Sequence, residues 1–190
     1  GYFEAISYSF VDEKLQRSLD PANEPIELAN PLSAEMSVMR TTIWTGLIKA
    51  LIYNVNRQQS RVRLFETGLC FTRSPNQEDL TFNNIHQVKK LAGIACGPRQ
   101  AENWSNDSQT IDFYDIKGDV ESLLALSGEP GQFQFTAGQH PALHAGQSAV
   151  ISKQGKPVGY IGLLDPRIQH NLDVRYPIFL FEIEVEAITA

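Results

Sequence analysis

The chain has 190 residues, enough to bury a substantial core, and 42% of them are hydrophobic. Its longest apolar tracts, such as Ile178 to Phe181, are strand-sized, so the pattern excludes a membrane-spanning helix or a signal peptide and predicts a soluble protein. The net charge of −6 has the wrong sign for a dedicated nucleic-acid module, whose phosphate contacts need clustered Lys and Arg.

The first residue is Gly and the chain opens directly into a strand, which reads as one domain, 1–190, excised from a longer polypeptide. Phe3 to Phe10 alternates, with Ile6, Tyr8 and Phe10 on one side and Ala5, Ser7 and Ser9 on the other, predicting a half-buried strand. Asp12 is positioned to cap a short helix that runs through Leu19 and ends at Asp20-Pro21. Ile26 to Ala29 reads as a short extended piece.

The main predicted helix starts at Thr41 or Thr42, either of which can cap it, and runs to about Asn56. Ile43, Leu47, Leu51 and Val55 form one apolar row, and Trp44, Ile48 and Ile52 form a second beside it. Two rows exceed what packing on one sheet requires. The expectation is that Trp44, Ile48, Ile52 and Val55 serve a subunit interface. Gly46 lets a neighbour approach, at a helix-propensity cost of about 1 kcal/mol.

Strands are predicted at Val62 to Thr72 and Val88 to Cys96, joined by a polar hairpin loop over Ser74 to Asn84; Pro98 to Thr110 reads as irregular around Trp104. A helix from Tyr114 or Asp115 to Leu126 stops at Gly128, and Phe133 to Thr136 is a short strand. Gln147 to Ser152 and Lys156 to Leu164 form a hairpin around Gln154-Gly155, Asp165-Pro166 opens a helix, and Ile178 to Ala187 closes the chain as a strand. Strands joined mostly by hairpins with helices between them predict an α+β fold, an antiparallel β-sheet flanked by helices.

Asn30 to Arg73, reading NPLSAEMSVMRTTIWTGLIKALIYNVNRQQSRVRLFETGLCFTR, carries the most specific pattern: an extended entry, a Met-Arg-Thr-Thr helix start, and a strand with Phe65-Glu66-Thr67-Gly68. It resembles the catalytic-like domain of the β subunit of bacterial phenylalanyl-tRNA synthetases. The resemblance extends to Gly1-Tyr2, Glu4 and Tyr8-Ser9-Phe10, to Asp112-Phe113-Tyr114-Asp115-Ile116-Lys117-Gly118-Asp119, to His144 through Ala149, and to Gly159-Tyr-Ile-Gly162. One departure is Ala145, where that family usually has Pro. The resemblance implies a class II aminoacyl-tRNA synthetase-like fold and a cytoplasmic (αβ)2 heterotetramer with an α subunit that holds the active site. It also implies that the holoenzyme charges tRNA(Phe) with phenylalanine using ATP and Mg2+, editing being the task of another β-subunit region.

In active class II domains an Arg two residues before a Glu on one strand grips the α-phosphate, and a Gly-rich strand-to-helix motif ends in a second Arg. Here Leu64 stands at the first place, Arg63 is one position off and so on the opposite face of the strand, and Phe179 to Ile188 holds neither Gly nor Arg. No ATP site, catalytic residue or metal site is therefore expected in this domain, whose role becomes a structural, inactive copy supporting assembly with the α subunit. The alternatives are a stand-alone class II-like ligase with a degraded nucleotide site, or a tRNA-binding module. The second rests on the absence of acidic residues between Glu35 and Glu66, where Arg40, Lys49, Arg57, Arg61 and Arg63 lie; Arg57, Arg61 and Arg63 are the candidate contacts to RNA or an acidic partner.

Other constellations have structural readings. His140 and His144 imitate a metal pair, but Pro141 disfavours the helix that would align them. Asp112, Asp115 and Asp119 could suggest paired acids, yet the first two suit a helix start. Cys70 and Cys96 read as reduced core thiols, without a CxxC spacing.

Overall fold

A computed structural model describes residues 1–73, 84–101 and 109–189. The loop expected over Ser74 to Asn84 and the irregular stretch around Trp104 lie largely outside those residues. Nine strands and five α-helices follow one another along the described chain. They are β1 (Phe3–Glu4), β2 (Phe10–Val11), α1 (Glu13–Leu19), β3 (Val38–Met39), α2 (Trp44–Val55), β4 (Val62–Arg73) and β5 (Ile85–Cys96). After these come α3 (Phe113–Ala125), β6 (Phe133–Ala137), β7 (Leu143–Lys153), β8 (Lys156–Leu164), α4 (Pro166–Asn171), β9 (Ile178–Glu184) and α5 (Val185–Thr189).

Seven strands form one sheet in the order β1-β4-β5-β9-β8-β7-β6, while β2 and β3 pair separately. Every neighbouring pair in the large sheet is antiparallel except β1 with β4, which is parallel. The architecture is α+β, with a mostly antiparallel mixed sheet flanked by helices. Strand β9 lies at its centre and is buried on both faces. Its Ile178 and Leu180 join a core cluster with α2, and Phe179, Phe181 and Ile183 join another with α3.

Local chemistry sets most helix ends. Asp12 accepts a hydrogen bond from the Leu15 amide at 2.8 Å, and Asp112 with Asp115 makes a reciprocal capping box at the start of α3. Asp165 accepts from the Arg167 amide, with Pro166 in the first helical position. Gln154 and Gly155 both adopt positive φ, 52° and 81°, the geometry that a two-residue hairpin turn demands between β7 and β8.

Three expectations are corrected. Phe3 to Phe10 is not one strand: pairing with β4 covers only Phe3 and Glu4, after which Ser7 comes up against Gly46 of α2. Its alternation is inverted, because Ser7 turns inward to a buried carboxylate while Ile6 and Tyr8 turn out at 90% and 69% exposure. The closing strand ends at Glu184, and Val185 begins α5. Helix α2 begins at Trp44, two to three residues later than expected, since the preceding threonines are held by other elements.

Candidate functional site

Arg40 follows β3 and is clamped by its backbone, its amide donating to the Ser9 carbonyl and its carbonyl accepting from the Phe71 amide, both at 2.9 Å. This directs the side chain beneath the sheet, where Nη1 meets Glu66 Oε1 at 2.6 Å and Nε donates to the Leu69 carbonyl at 2.9 Å. The Ser7 hydroxyl donates to Glu66 Oε2 at 2.7 Å and accepts from Arg40 Nη1 at 3.2 Å. Both charged side chains are only 4% exposed. Two glycines make the room: a Cβ on Gly68 would lie 2.0 Å from Arg40 Nη2, and one on Gly46 would lie 2.1 Å from Ser7 Oγ.

Next in sequence, Thr41 is bound to α1. Its hydroxyl donates to Asp20, and its amide donates to Gln16 Oε1 at 3.2 Å. Thr42 and Ile43 turn the other way: the Thr42 hydroxyl and the Ile43 amide both donate to Glu182 Oε1 at 2.8 Å. Lys90 Nζ donates to Glu182 Oε2 at 2.7 Å and to the Thr41 carbonyl at 3.2 Å. Burial is the largest single influence on Lys90 and works against its charge, but the surrounding anionic groups, Glu182 foremost, together outweigh it and raise the ammonium's pKa above its ordinary value. A carboxylate from β9 thus occupies the positive end of α2, while Trp44 Nε1 donates to the Phe181 carbonyl at 2.9 Å.

Above this network is a cavity of about 310 Å³ whose walls include Asp20, Thr42, Lys90, His140, Tyr160 and Glu182. The His140 ring packs edge-on against Trp44 and tilted against Tyr160, at centroid distances of 5.1 and 4.7 Å. Burial lowers its pKa below the ordinary histidine value. Its Nδ1 accepts from the Ala142 amide, and His144 Nδ1 accepts from the Gly146 amide. Both histidines bind backbone, His140 from the loop before β7 and His144 from within β7. Among the described residues no group of three His, Cys, Asp or Glu side chains could hold a metal ion.

The residues here do not fit ATP with Mg2+. Leu64 is half-buried and packs on the α2 cluster, where a phosphate grip would need a cation. Arg63 projects from the opposite face of β4, pairing with Asp119 at 3.1 Å and donating to the Arg99 carbonyl. Glu66 is taken by Arg40, and the α2 N-terminus by Glu182. Asp112 and Asp115 cap α3 and pair with Arg99, and Asp119 also accepts from the Tyr2 hydroxyl. Cys70 and Cys96 are free thiols that burial pushes up to about 12 and about 11.

The expected interface on α2 is corrected at its centre. Trp44 and Ile48 are 1% and 0% exposed, enclosed in this chain's own core with Leu19, Ala142, Leu164 and Val174. The wide apolar face is covered internally, from elements far along the chain. Ile52 and Val55 remain half-buried at the helix end. Of the basic candidates, Arg57 is exposed and stacks 3.3 Å over the Tyr53 ring, Arg61 is half-buried, and Arg63 is 8% exposed. Ser7, Gln16, Asp20, Lys90 and Glu182 were missed by sequence reasoning. Little in the sequence marked the last two, because Lys90 directly follows Lys89 and Glu182 alternates with Glu184 and Glu186, so neither stood out as a lone charge in an apolar strand.

Comparison with known proteins adds to this geometry. Residues 1–185 match the family model described as Phenylalanyl tRNA synthetase beta chain CLM domain. The chain is 48% identical over 183 residues to the Phenylalanine–tRNA ligase beta subunit of Pseudomonas putida, covering 96% of this chain and 22% of that protein. It is 47% identical over 188 residues to the same-named subunit of Pseudoalteromonas translucida, and 46% identical over 188 residues to that of Hahella chejuensis, in each case covering 99% of this chain and 23% of the relative. The chain thus spans less than a quarter of the length of these relatives. With nearly its whole length matched, the chain belongs to the phenylalanyl-tRNA synthetase beta chain CLM domain family.

Proposed function

We propose that this chain is one catalytic-like but non-catalytic domain of a longer β subunit, built on a class II synthetase-like fold. Its task is to complete assembly with an α subunit in a cytoplasmic (αβ)2 heterotetramer. That holoenzyme would charge tRNA(Phe) with phenylalanine, using ATP and Mg2+ at a site on the α subunit. No described helix is long and apolar enough to cross a membrane. The observation that carries the non-catalytic reading is the mutual commitment of the interior charges, with Arg40 on Glu66 and Lys90 on Glu182, the latter already capping α2. A nucleotide would have to break one of these buried pairs, at about 3–5 kcal/mol.

The assembly surface is assigned to the first segment rather than to α2. Phe3, Ile6 and Tyr8 are 74%, 90% and 69% exposed within a few residues of one another. Large apolar side chains concentrated in this way mark a surface that is covered in a larger assembly. The test is Ile6→Asp in the full β subunit, which should leave folding intact and reduce co-purification with the α subunit. Thermal shift with ATP·Mg2+ tests the other half, because a ligand at 100 times its Kd stabilises a binder by about 2.7 kcal/mol. A clear shift would favour the stand-alone ligase reading. Tight, steeply salt-dependent tRNA binding lost on substitution of Arg57 would favour the RNA-binding reading.

A further inference from the structure

Around the start of β4 most cations have a fixed anionic or carbonyl partner. Arg40 holds Glu66, Arg63 holds Asp119 and the Arg99 carbonyl, and Arg99 holds Asp112 and Asp115. Arg61 is different: among the described residues its side chain makes no hydrogen bond or close ion pair, and although the Nε of Arg63 is likewise enclosed without a partner, only Arg61 lacks one at every nitrogen. It is half-buried, and its pKa is lowered first by that burial and then by the neighbouring Arg63 charge. Asp119 acts on it through space but is already shared by Arg63 and Tyr2. A partly desolvated guanidinium without a counter-ion is unfavourable until an anion reaches it.

The position of Arg61 supplies the context. A Cβ on Gly1 would lie 3.8 Å from its Nη2 and 3.9 Å from its Nη1. Three residues along, Leu64 is the register partner of Phe3. Arg61 therefore stands at one end of the segment that exposes Phe3, Ile6 and Tyr8.

We infer that Arg61 anchors a single carboxylate presented by the protein partner that covers the Phe3–Tyr8 segment. The inference rests on the assembly reading above and gives that surface a charge requirement. A guanidinium fork matches a planar carboxylate with two parallel hydrogen bonds. A nucleic-acid backbone fits less well, because Arg63 and Arg99 are already paired with Asp119, Asp112 and Asp115, which leaves Arg61 a single charge, and a phosphate track needs uncompensated cations in a row.

The test uses the full-length β subunit with its α subunit, carrying Arg61→Met, Arg61→Glu or Ile6→Asp. Association is measured by sedimentation at low and high salt, tRNA affinity in parallel, and unfolding on the β subunit alone. Arg61→Glu should weaken association at least tenfold at low salt and Arg61→Met less, both with a flatter salt dependence. Neither should lower the unfolding midpoint, since the charge removed has no close partner among the described residues. A lowered midpoint for Arg61→Met would place the counter-ion within the β subunit and overturn the inference. So would loss of tRNA affinity with assembly intact, which would assign Arg61 to phosphate. Weak association for Ile6→Asp beside unchanged association for both Arg61 variants would leave the assembly surface standing and remove its anchor. Unchanged association for all three would remove both.

Discussion

Arg40 occupies the space that a side chain at Gly68 would need, with Nη2 2.0 Å from an ideal Cβ there. Gly68 has no positive φ, so close approach, not backbone conformation, requires glycine at this position. The strand residue and the buried ion pair are therefore one device. Gly68→Val should destabilise the fold by about 1–3 kcal/mol or more, although Val is the better strand former. Adding Arg40→Met should recover part of the loss at position 68. Urea denaturation of the single and double variants measures the coupling, and strict additivity would show that Arg40 is not the obstacle.

Within the ion pair, removing one charge is worse than removing both. Arg40→Ala leaves Glu66 buried with only Ser7 as a donor from the original pairings and should cost about 3–5 kcal/mol. Arg40→Met with Glu66→Leu should be closer to the parent than either single change. The denaturation midpoints of the three variants decide it.

Both apolar rows of α2 are interior from Ile43 to Leu51. Leu47→Ala should cost about 2–5 kcal/mol. Ile48→Asp should unfold the protein rather than merely weaken association, because an unpaired carboxylate cannot be accommodated at a position with 0% exposure. Circular dichroism separates an unfolded variant from a folded one.

His140 is held neutral by burial, facing the Trp44 and Tyr160 rings and the charges of Asp20, Glu182 and Lys90. Its folded pKa is lowered below the ordinary value of about 6.5, so below that pH the unfolded chain binds the proton first. Its contribution to stability is present in full above about pH 6.5 and is lost as pH falls through the folded pKa. Stability measured from pH 7.5 to 5 should decline less steeply for His140→Gln than for the parent.

Cys70 and Cys96 should resist thiol reagents at pH 8, since burial keeps both protonated. Labelling should proceed only on unfolding, and rapid modification of the native chain would contradict their enclosure.

The legible parts of the fold were those written locally. Asp12, a helix cap at Asp112 or Asp115, Gly128 after α3 and the Gln154-Gly155 turn each act within a few residues, so they were legible in the sequence, though the reciprocal box that Asp112 and Asp115 form was not. The first segment was misread because its inward face is set by Glu66, 59 positions away, which draws Ser7 in and leaves Ile6 out. The width of α2 was misassigned for a similar reason. Leu19 from α1 and Ala142, Leu164 and Val174 from the second half of the chain close over it, and no periodicity within the helix announces them. At the candidate site, Leu64 and Arg63 were readable from strand parity. The Glu182 cap on α2 was not, because its two partners are 140 and 139 residues distant.

That distance bears on the order in which the molecule can be made. Ribosomes deliver α2 long before β9, so during synthesis the helix must wait with its first amide and the Trp44 indole lacking their native acceptors. Contacts of such sequence separation carry a heavy loop-closure cost and form late. A nascent chain stopped before Ile178 would also lack the central strand that both apolar clusters share. Strand β9, the latest of the described strands to emerge, is therefore the one that turns two incomplete halves into a cooperative unit, and an interrupted translation product ending short of it exposes the apolar surface that chaperones bind.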